Sequence, residues 1–183
     1  MMVGYGALLV KAYENEKPLS MYNTWYSNGG VDTLRSYEIV KLIEGKLAKV
    51  ENHAKSLERF KDDMTWMKNL PLYIELEVVH PSGKPVVVSH APIDSVWNLK
   101  DDEKRKYTFK QRALTNRQNP HQGAKIFNIF GHTPRANGPD IQEHYVNVDT
   151  GCYIEDGAGL GKLCAYCVET GETVCVKCTK GID

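Results

Sequence analysis

Val86-Val87-Val88-Ser89-His90, followed by Ala91-Pro92, and Ile126-Phe127-Asn128-Ile129-Phe130-Gly131-His132, followed by Thr133-Pro134, share one ending. Each is a short apolar run, rich in β-branched or aromatic residues, that closes on a histidine beside a proline-bearing turn. Such runs read as buried strands. A strand end beside a loop is where a rigid sheet aims an imidazole at a metal or a substrate. One such histidine reads as a structural residue. Two with the same ending set ligation beside that structural reading. His53, His80, His121 and His144 lack this setting and read as ordinary surface or half-buried residues.

Around these runs the pattern is also that of strands. Leu72-Tyr73-Ile74-Glu75-Leu76-Glu77-Val78-Val79 alternates, with Leu72, Ile74, Leu76 and Val78 expected on one face. Pro81-Ser82-Gly83-Lys84 supplies a turn back into the run that ends at His90. Further strands are expected at 144–148 and as a hairpin over 163–177, closed near Thr170-Gly171. Residues 94–124 are polar, with helix potential over 109–114 and a charged stretch over 100–106 that reads as a solvated face.

The first half reads as helical. Residues 1–12 suggest a short apolar helix, and 22–30 a polar, aromatic loop ending in Gly29-Gly30. Asp32 or Thr33 is expected to cap a helix on which Leu34, Tyr37, Val40, Ile43, Leu47 and Val50 recur at helical spacing, with Gly45 dividing it. Leu57, Phe60, Met64 and Met67 share one face of a second helix that Pro71 ends. No repeat, low-complexity tract or linker marks a boundary, so 1–183 is read as a single domain. Helices followed by a mostly β half give an α/β or α+β class.

Composition narrows the function. Across 183 residues, Lys plus Arg and Asp plus Glu both number 23, which argues against a nucleic-acid or anionic-membrane surface. Hydrophobic residues at 42% and charged residues at 25% fit an ordinary globular chain. The apolar opening has neither the basic flank of a signal peptide nor the length to span a bilayer, so a cytoplasmic protein is expected. The five cysteines, an odd number crowded toward one end, suggest reduced thiols. Cys164-x-x-Cys167 and Cys175-x-x-Cys178 have the spacing of a zinc site but lie in β-patterned runs, where residues three apart face opposite ways. Small strand residues are the favoured reading. Gly157-Ala158-Gly159-Leu160-Gly161-Lys162 fails as a phosphate loop, because Asp156 and Leu163 stand where that motif needs glycine and a hydroxyl residue.

Several segments, in order, resemble the calcineurin-like metallophosphoesterases, specifically the bacterial and phage Ser/Thr phosphatase and symmetrical dinucleoside-tetraphosphatase branch. They are Trp25-Tyr26-Ser27-Asn28-Gly29-Gly30 with Thr33-Leu34-Arg35-Ser36-Tyr37, then Leu70-Pro71-Leu72-Tyr73. Val87-Val88-Ser89-His90-Ala91 resembles the family's strand ending in His-Ala-Gly, with Pro92 in place of the glycine. Gly131-His132-Thr133-Pro134 resembles its Gly-His-Thr motif. The stretches from Val146 to Cys152 and from Gly161 to Ala165 resemble its closing strands.

The resemblance implies part of a four-layer αββα β-sandwich with flanking helices, lacking its N-terminal βαβ portion. It implies a site with two metals about 3.5–4 Å apart, manganese first and iron or zinc as alternatives. His90 and His132 would ligate one of them. Arg117 would bind the substrate phosphate, with Arg112 as its rival, since Thr115 stands where relatives have tryptophan. Asp149 and Thr133 are read as loop-shaping residues. The implied partner is a phosphorylated protein or small molecule, or a dinucleoside polyphosphate.

The family's first three motifs, Gly-Asp-x-His, Gly-Asp-x-x-Asp-Arg-Gly and Gly-Asn-His-Glu/Asp, do not occur in the sequence. They carry the remaining metal ligands and the general acid. The expectation is therefore the C-terminal part of a phosphatase, with at most a partial metal site and little or no activity alone. A second chain supplying those motifs is a candidate partner. The alternative is a non-catalytic remnant that binds phosphate or protein.

Overall fold

A computed structural model describes residues 29–154 and 158–178. The chain falls into two compact units, Met1–Leu70 and Pro71–Asp183, dividing at the Leu70-Pro71 step where the sequence shows no boundary. The expected helix over 1–12 and most of the loop over 22–30 lie outside the described residues.

In the first unit the expected long helix is replaced by a short helix and a hairpin. Helix α1 (Val31–Ser36) ends at Tyr37, and strands β1 (Val40–Ile43) and β2 (Lys46–Lys49) pair antiparallel with Leu42 opposite Leu47. Glu44 and Gly45 both have positive φ, 48° and 76°, the conformation of a two-residue type I′ turn. Gly45 is therefore a turn residue rather than a helix weakness. The apolar spacing misled because Val40, Ile43 and Leu47, three and four residues apart, lie on two strands on either side of the turn. Neither Asp32 nor Thr33 caps α1: Gly30 holds the cap position, while Asp32 pairs with Arg35 at 3.1 Å and the Thr33 hydroxyl donates to Gly29 O. Helix α2 (Ala54–Lys68) forms where a second helix is expected, ending two residues before Leu70, and buries Phe60 and Met64. Tyr37 packs edge-on against Phe60 at 5.1 Å and donates its hydroxyl to Asp63.

The second unit is mixed α/β around a five-stranded mixed sheet ordered β3-β4-β5-β7-β6. Its strands are β3 (Tyr73–Val79), β4 (Pro85–Ser89), β5 (Phe127–Phe130), β6 (Asp140–Gln142) and β7 (Tyr145–Asn147). The central strands β4, β5 and β7 run parallel, whereas β3 and β6 are antiparallel edges. A 3-10 helix (Asp94–Leu99) and helix α3 (Lys106–Thr115) connect β4 to β5. Strand alternation gives the sheet two apolar faces. Val87 and Ile126 pack with Ile93, Val96, Phe109 and Ala113 on the helical side. Val86, Phe127, Ile129 and Val146 form the other face, with Tyr166 and Val168 packed against them. The expected alternation of β3 is broken by a register shift between Glu75 and Val79, and Ile74 is left 54% exposed on this edge.

Strands β8 (Lys162–Tyr166) and β9 (Thr173–Lys177) form the expected C-terminal hairpin, whose return passes through Gly171 at φ 74°. The reduced state expected of the cysteines does not hold throughout: Cys164 and Cys175 are joined by a disulfide. Cys178 N donates to Gly161 O and Cys167 N to Glu172 O. Counting in twos between these bonds puts Cys164 and Cys175 at a non-hydrogen-bonded pair, where antiparallel backbones approach most closely, and their Cα atoms are 4.1 Å apart. Cys167 and Cys178 lie at opposite ends of the hairpin, so the two Cys-x-x-Cys pairs do not converge. Among the described residues no helix is long and apolar enough to cross a membrane.

Candidate functional site

The carboxyl ends of parallel strands lie on one side of a sheet, so the residues that follow them share an edge. Register pairs Val88 with Ile129 and Phe130 with Asn147, which brings His90, His132 and the Asp149 loop to that edge. Gly131 N donates to His90 O at 3.0 Å, extending the β4–β5 pairing up to the histidines. His90 Nε2 and His132 Nδ1 are then 3.0 Å apart, with their rings tilted at 56°. The two sequence-predicted imidazoles therefore meet directly.

A buried asparagine framework holds this corner. Asn128, fully buried within β5, accepts from Ile93 N at 2.8 Å and donates to Val87 O and Ser89 Oγ. Ser89 Oγ in turn donates to Ala91 O, so both sides of His90 are tied to Asn128. Asn116, capping the C-terminal end of α3, donates to Pro92 O at 2.8 Å. Asn147 donates to Thr133 O and accepts from Asp149 N, which fixes the loops after β5 and β7 against each other. His132 itself has φ 72°, a left-handed backbone uncommon for a non-glycine residue.

Asp149 acts as the loop-shaper expected of it. Its Oδ1 accepts from Gly151 N at 3.0 Å and its carbonyl from Arg135 N at 2.8 Å. A Cβ on Gly131 would come within 3.3 Å of the Asp149 side chain, so glycine there lets the two loops approach. Thr133 is also engaged locally, its Oγ1 taking a 3.4 Å bond from Arg117 Nη1. Arg117 donates as well to His132 O at 3.0 Å. The expected phosphate-binding arginine is thus seated at the histidine corner, bracing the backbone that carries His132, with its side chain exposed. Arg112 lies in the last turn of α3 and makes no hydrogen bond to this corner among the described residues.

Burial holds both imidazoles below the ordinary histidine value; at His132 the neighbouring His90 and Arg117 add to it, while Asp149 opposes it at both. Both rings are therefore neutral near pH 7, the form that ligates metal. Nitrogens about 2.1 Å from one divalent ion stand about 3.0 Å apart at an octahedral right angle and about 3.4 Å apart at a tetrahedral angle. The observed 3.0 Å is a hydrogen bond between the two rings, and it is also the spacing of two adjacent ligands of one ion. Among the described residues no group of three or more His, Cys, Asp or Glu side chains completes a metal site.

Beside the corner lies a network that sequence reading missed. Tyr145 accepts from Asn119 Nδ2 and donates to Asp140 Oδ2, each at 2.9 Å. Burial and then the Asp140 bond push the Tyr145 phenol up to about 12. Arg135 donates to Asn119 and pairs with Asp140 at 3.6 Å. The polar residue inside the apolar run Ile126-Phe127-Asn128-Ile129-Phe130 was the available signal for the framework beneath the histidines. Nothing comparable marks Arg135 or Tyr145.

Comparison with protein-family models, curated proteins and solved structures finds no match to this chain.

Proposed function

We propose that this chain supplies the histidine-bearing corner of a metal-dependent phosphoesterase, related to Ser/Thr protein phosphatases and dinucleoside tetraphosphatases. The observation that carries the reading is the 3.0 Å approach of His90 Nε2 and His132 Nδ1 at adjacent parallel strand ends. In this reading the two imidazoles hold one divalent ion, manganese first and iron or zinc as alternatives. When bound, a metal pair polarises the phosphoryl oxygens and lowers the pKa of a coordinated water. Arg117, beside His132, orients a phosphate oxygen of the substrate. The substrate is a phosphate monoester on a protein or small molecule, or a dinucleoside polyphosphate. A cytoplasmic location belongs to the same reading, with Cys164–Cys175 then a redox-responsive link rather than a permanent one.

The sequence lacks the three motifs that bring the other ligands and the general acid, so the chain alone is inactive. The test is p-nitrophenyl phosphate hydrolysis with manganese, measured alone and after mixing with a polypeptide carrying those motifs. No turnover alone, turnover on mixing, and its loss with His132→Ala is the expected pattern. Family-level turnover by the chain alone, unchanged by His90→Ala, overturns it. Among the described residues no group of three or more His, Cys, Asp or Glu side chains could hold a metal, and Asp149 Oδ1 is engaged by Gly151 N, which favours a second reading, a non-catalytic phosphate- or protein-binding module. Phosphate binding without turnover in either arm would support that one.

A further inference from the structure

Three cysteines remain as thiols, and they are not equivalent. Cys167, at the turn end of the β8–β9 hairpin, donates to Glu169 Oε2 at 3.5 Å. Cys152 and Cys178 instead face each other, Sγ to Sγ at 2.8 Å, although 26 residues separate them. Their backbones are already fastened together. Cys178 N donates to Gly161 O at 2.8 Å, Gly161 N to Gly151 O at 3.2 Å, and Thr150 Oγ1 to Lys162 O at 2.7 Å. Gly151, at φ 65°, adopts the left-handed backbone that favours glycine, and a Cβ there would come within 2.9 Å of Ile154 Cδ1. Juxtaposition therefore comes from the loop and the open end of the hairpin, before any bond joins the two sulfurs.

We propose that Cys152 and Cys178 are a modification site: a dithiol that a low-molecular-weight disulfide such as glutathione disulfide converts to a second protein disulfide. Cys178 is exposed and Cys152 half-buried, so the reaction begins at Cys178. The Cys178 thiol gives its proton to solvent, and its sulfur attacks one sulfur of glutathione disulfide, releasing a glutathione thiolate that takes up a proton. The Cys152 sulfur, its own proton lost to solvent, then attacks Cys178 Sγ in the mixed disulfide and expels the second glutathione. Two protein thiols are oxidised and one glutathione disulfide is reduced to two thiols. In the dithiol the hydrogen bond to Cys178 raises the Cys152 thiol above its ordinary value, which makes Cys152 the poorer first attacker.

The new bond would clamp the end of β9 to the loop that follows Asp149, three residues from the aspartate whose backbone shapes the histidine corner. This holds whether or not the chain belongs to a phosphoesterase.

The test equilibrates the whole chain in glutathione buffers of rising disulfide fraction, alkylates the free thiols, and maps unreduced peptides by mass spectrometry. A peptide joining Cys152 to Cys178, with Cys167 alkylated, is the expected product under oxidising buffer. Alkylation of both Cys152 and Cys178 at every ratio, or a product pairing Cys167 with either, overturns the proposal. Amide hydrogen exchange supplies a second readout. Oxidation should slow the Cys178 and Gly161 amides about tenfold in the wild type and leave them unchanged in Cys152→Ser. Equal slowing in both would overturn the clamp.

Discussion

The two ends of the five-stranded sheet each carry a pair of histidines, and the pairs are held in opposite ways. At the amino ends, His80 stacks on Phe127, rings 3.8 Å apart and 7° from parallel, and its Nδ1 accepts from Ser82 N at 3.2 Å. His144 there donates through Nε2 to Pro120 O at 3.0 Å. These two rings line one pocket together with Lys84, Gln122 and Glu143, but among the described residues no hydrogen bond or ring contact joins them, and His144 Nδ1 is buried without a hydrogen-bond partner. At the carboxyl ends the chain leaves the sheet at His90 and His132, and the two rings find each other. Strand direction separates the cases. At the entering ends, the β3–β4 turn and the residues just before β7 surround a pocket. At the leaving ends of β4 and β5, loops diverge and expose a shared edge, where ligands of α/β sheets gather.

The most damaging way to break this contrast is to remove the framework under one end. Asn128→Ala takes away the acceptor for Ile93 N and leaves Val87 O and Ser89 Oγ without their buried donor. We expect a loss of about 2–4 kcal/mol, read as a lower denaturant midpoint. His80→Ala at the other end removes a stacked ring and should cost about 0.5–1.5 kcal/mol. Equal losses would mean that the carboxyl-end corner is not specially supported. The next test concerns the ions themselves. In titrations with manganese or zinc, His90→Ala and His132→Ala should each weaken binding by about tenfold or more. His80→Ala and His144→Ala should leave it unchanged. Metal affinity lost equally from all four variants would erase the distinction between the two ends.

Much of that distinction was legible in the sequence, and the limits are instructive. The strand-then-turn endings at His90 and His132 needed only local pattern, because a run of valines or of isoleucine and phenylalanine is short, apolar and sharply terminated. That the two endings meet depends on β4 and β5 being parallel neighbours, which is a property of topology and not of either segment. Arg117 was found only through resemblance; nothing in its surroundings announces that it would reach the carbonyl of His132 across 15 residues. The hairpin of β1 and β2 was misread because the spacing of Val40, Ile43 and Leu47 fits a helix as well as two short strands joined by a turn. Only the left-handed backbone at Glu44-Gly45 separates the two. The Cys164–Cys175 bond escaped because opposite positions on a hairpin follow from its register, whereas sequence displays the Cys-x-x-Cys spacing.

The finest test of the contrast is electrostatic. An imidazole held below its ordinary value by burial is uncharged in the fold but takes a proton near pH 6.5 once unfolded. The unfolded chain then binds more protons, so the contribution of His90 and His132 to stability is complete above about pH 6.5 and is lost as pH falls through the window below it. In the proposed reading protons compete with the ion over the same range, and affinity for manganese should fall with acidification. His80 is also held low, by burial and then by Lys84, so the direction of a shift does not by itself separate the two ends. Mutual influence does. Because His90 is one of the causes that lower His132, proton NMR of the His90→Ala variant should show the His132 titration moving upward. In His80→Ala it should stay where it is. A His132 titration indifferent to His90 would mean that the rings, though 3.0 Å apart in the fold, do not behave as a pair in solution.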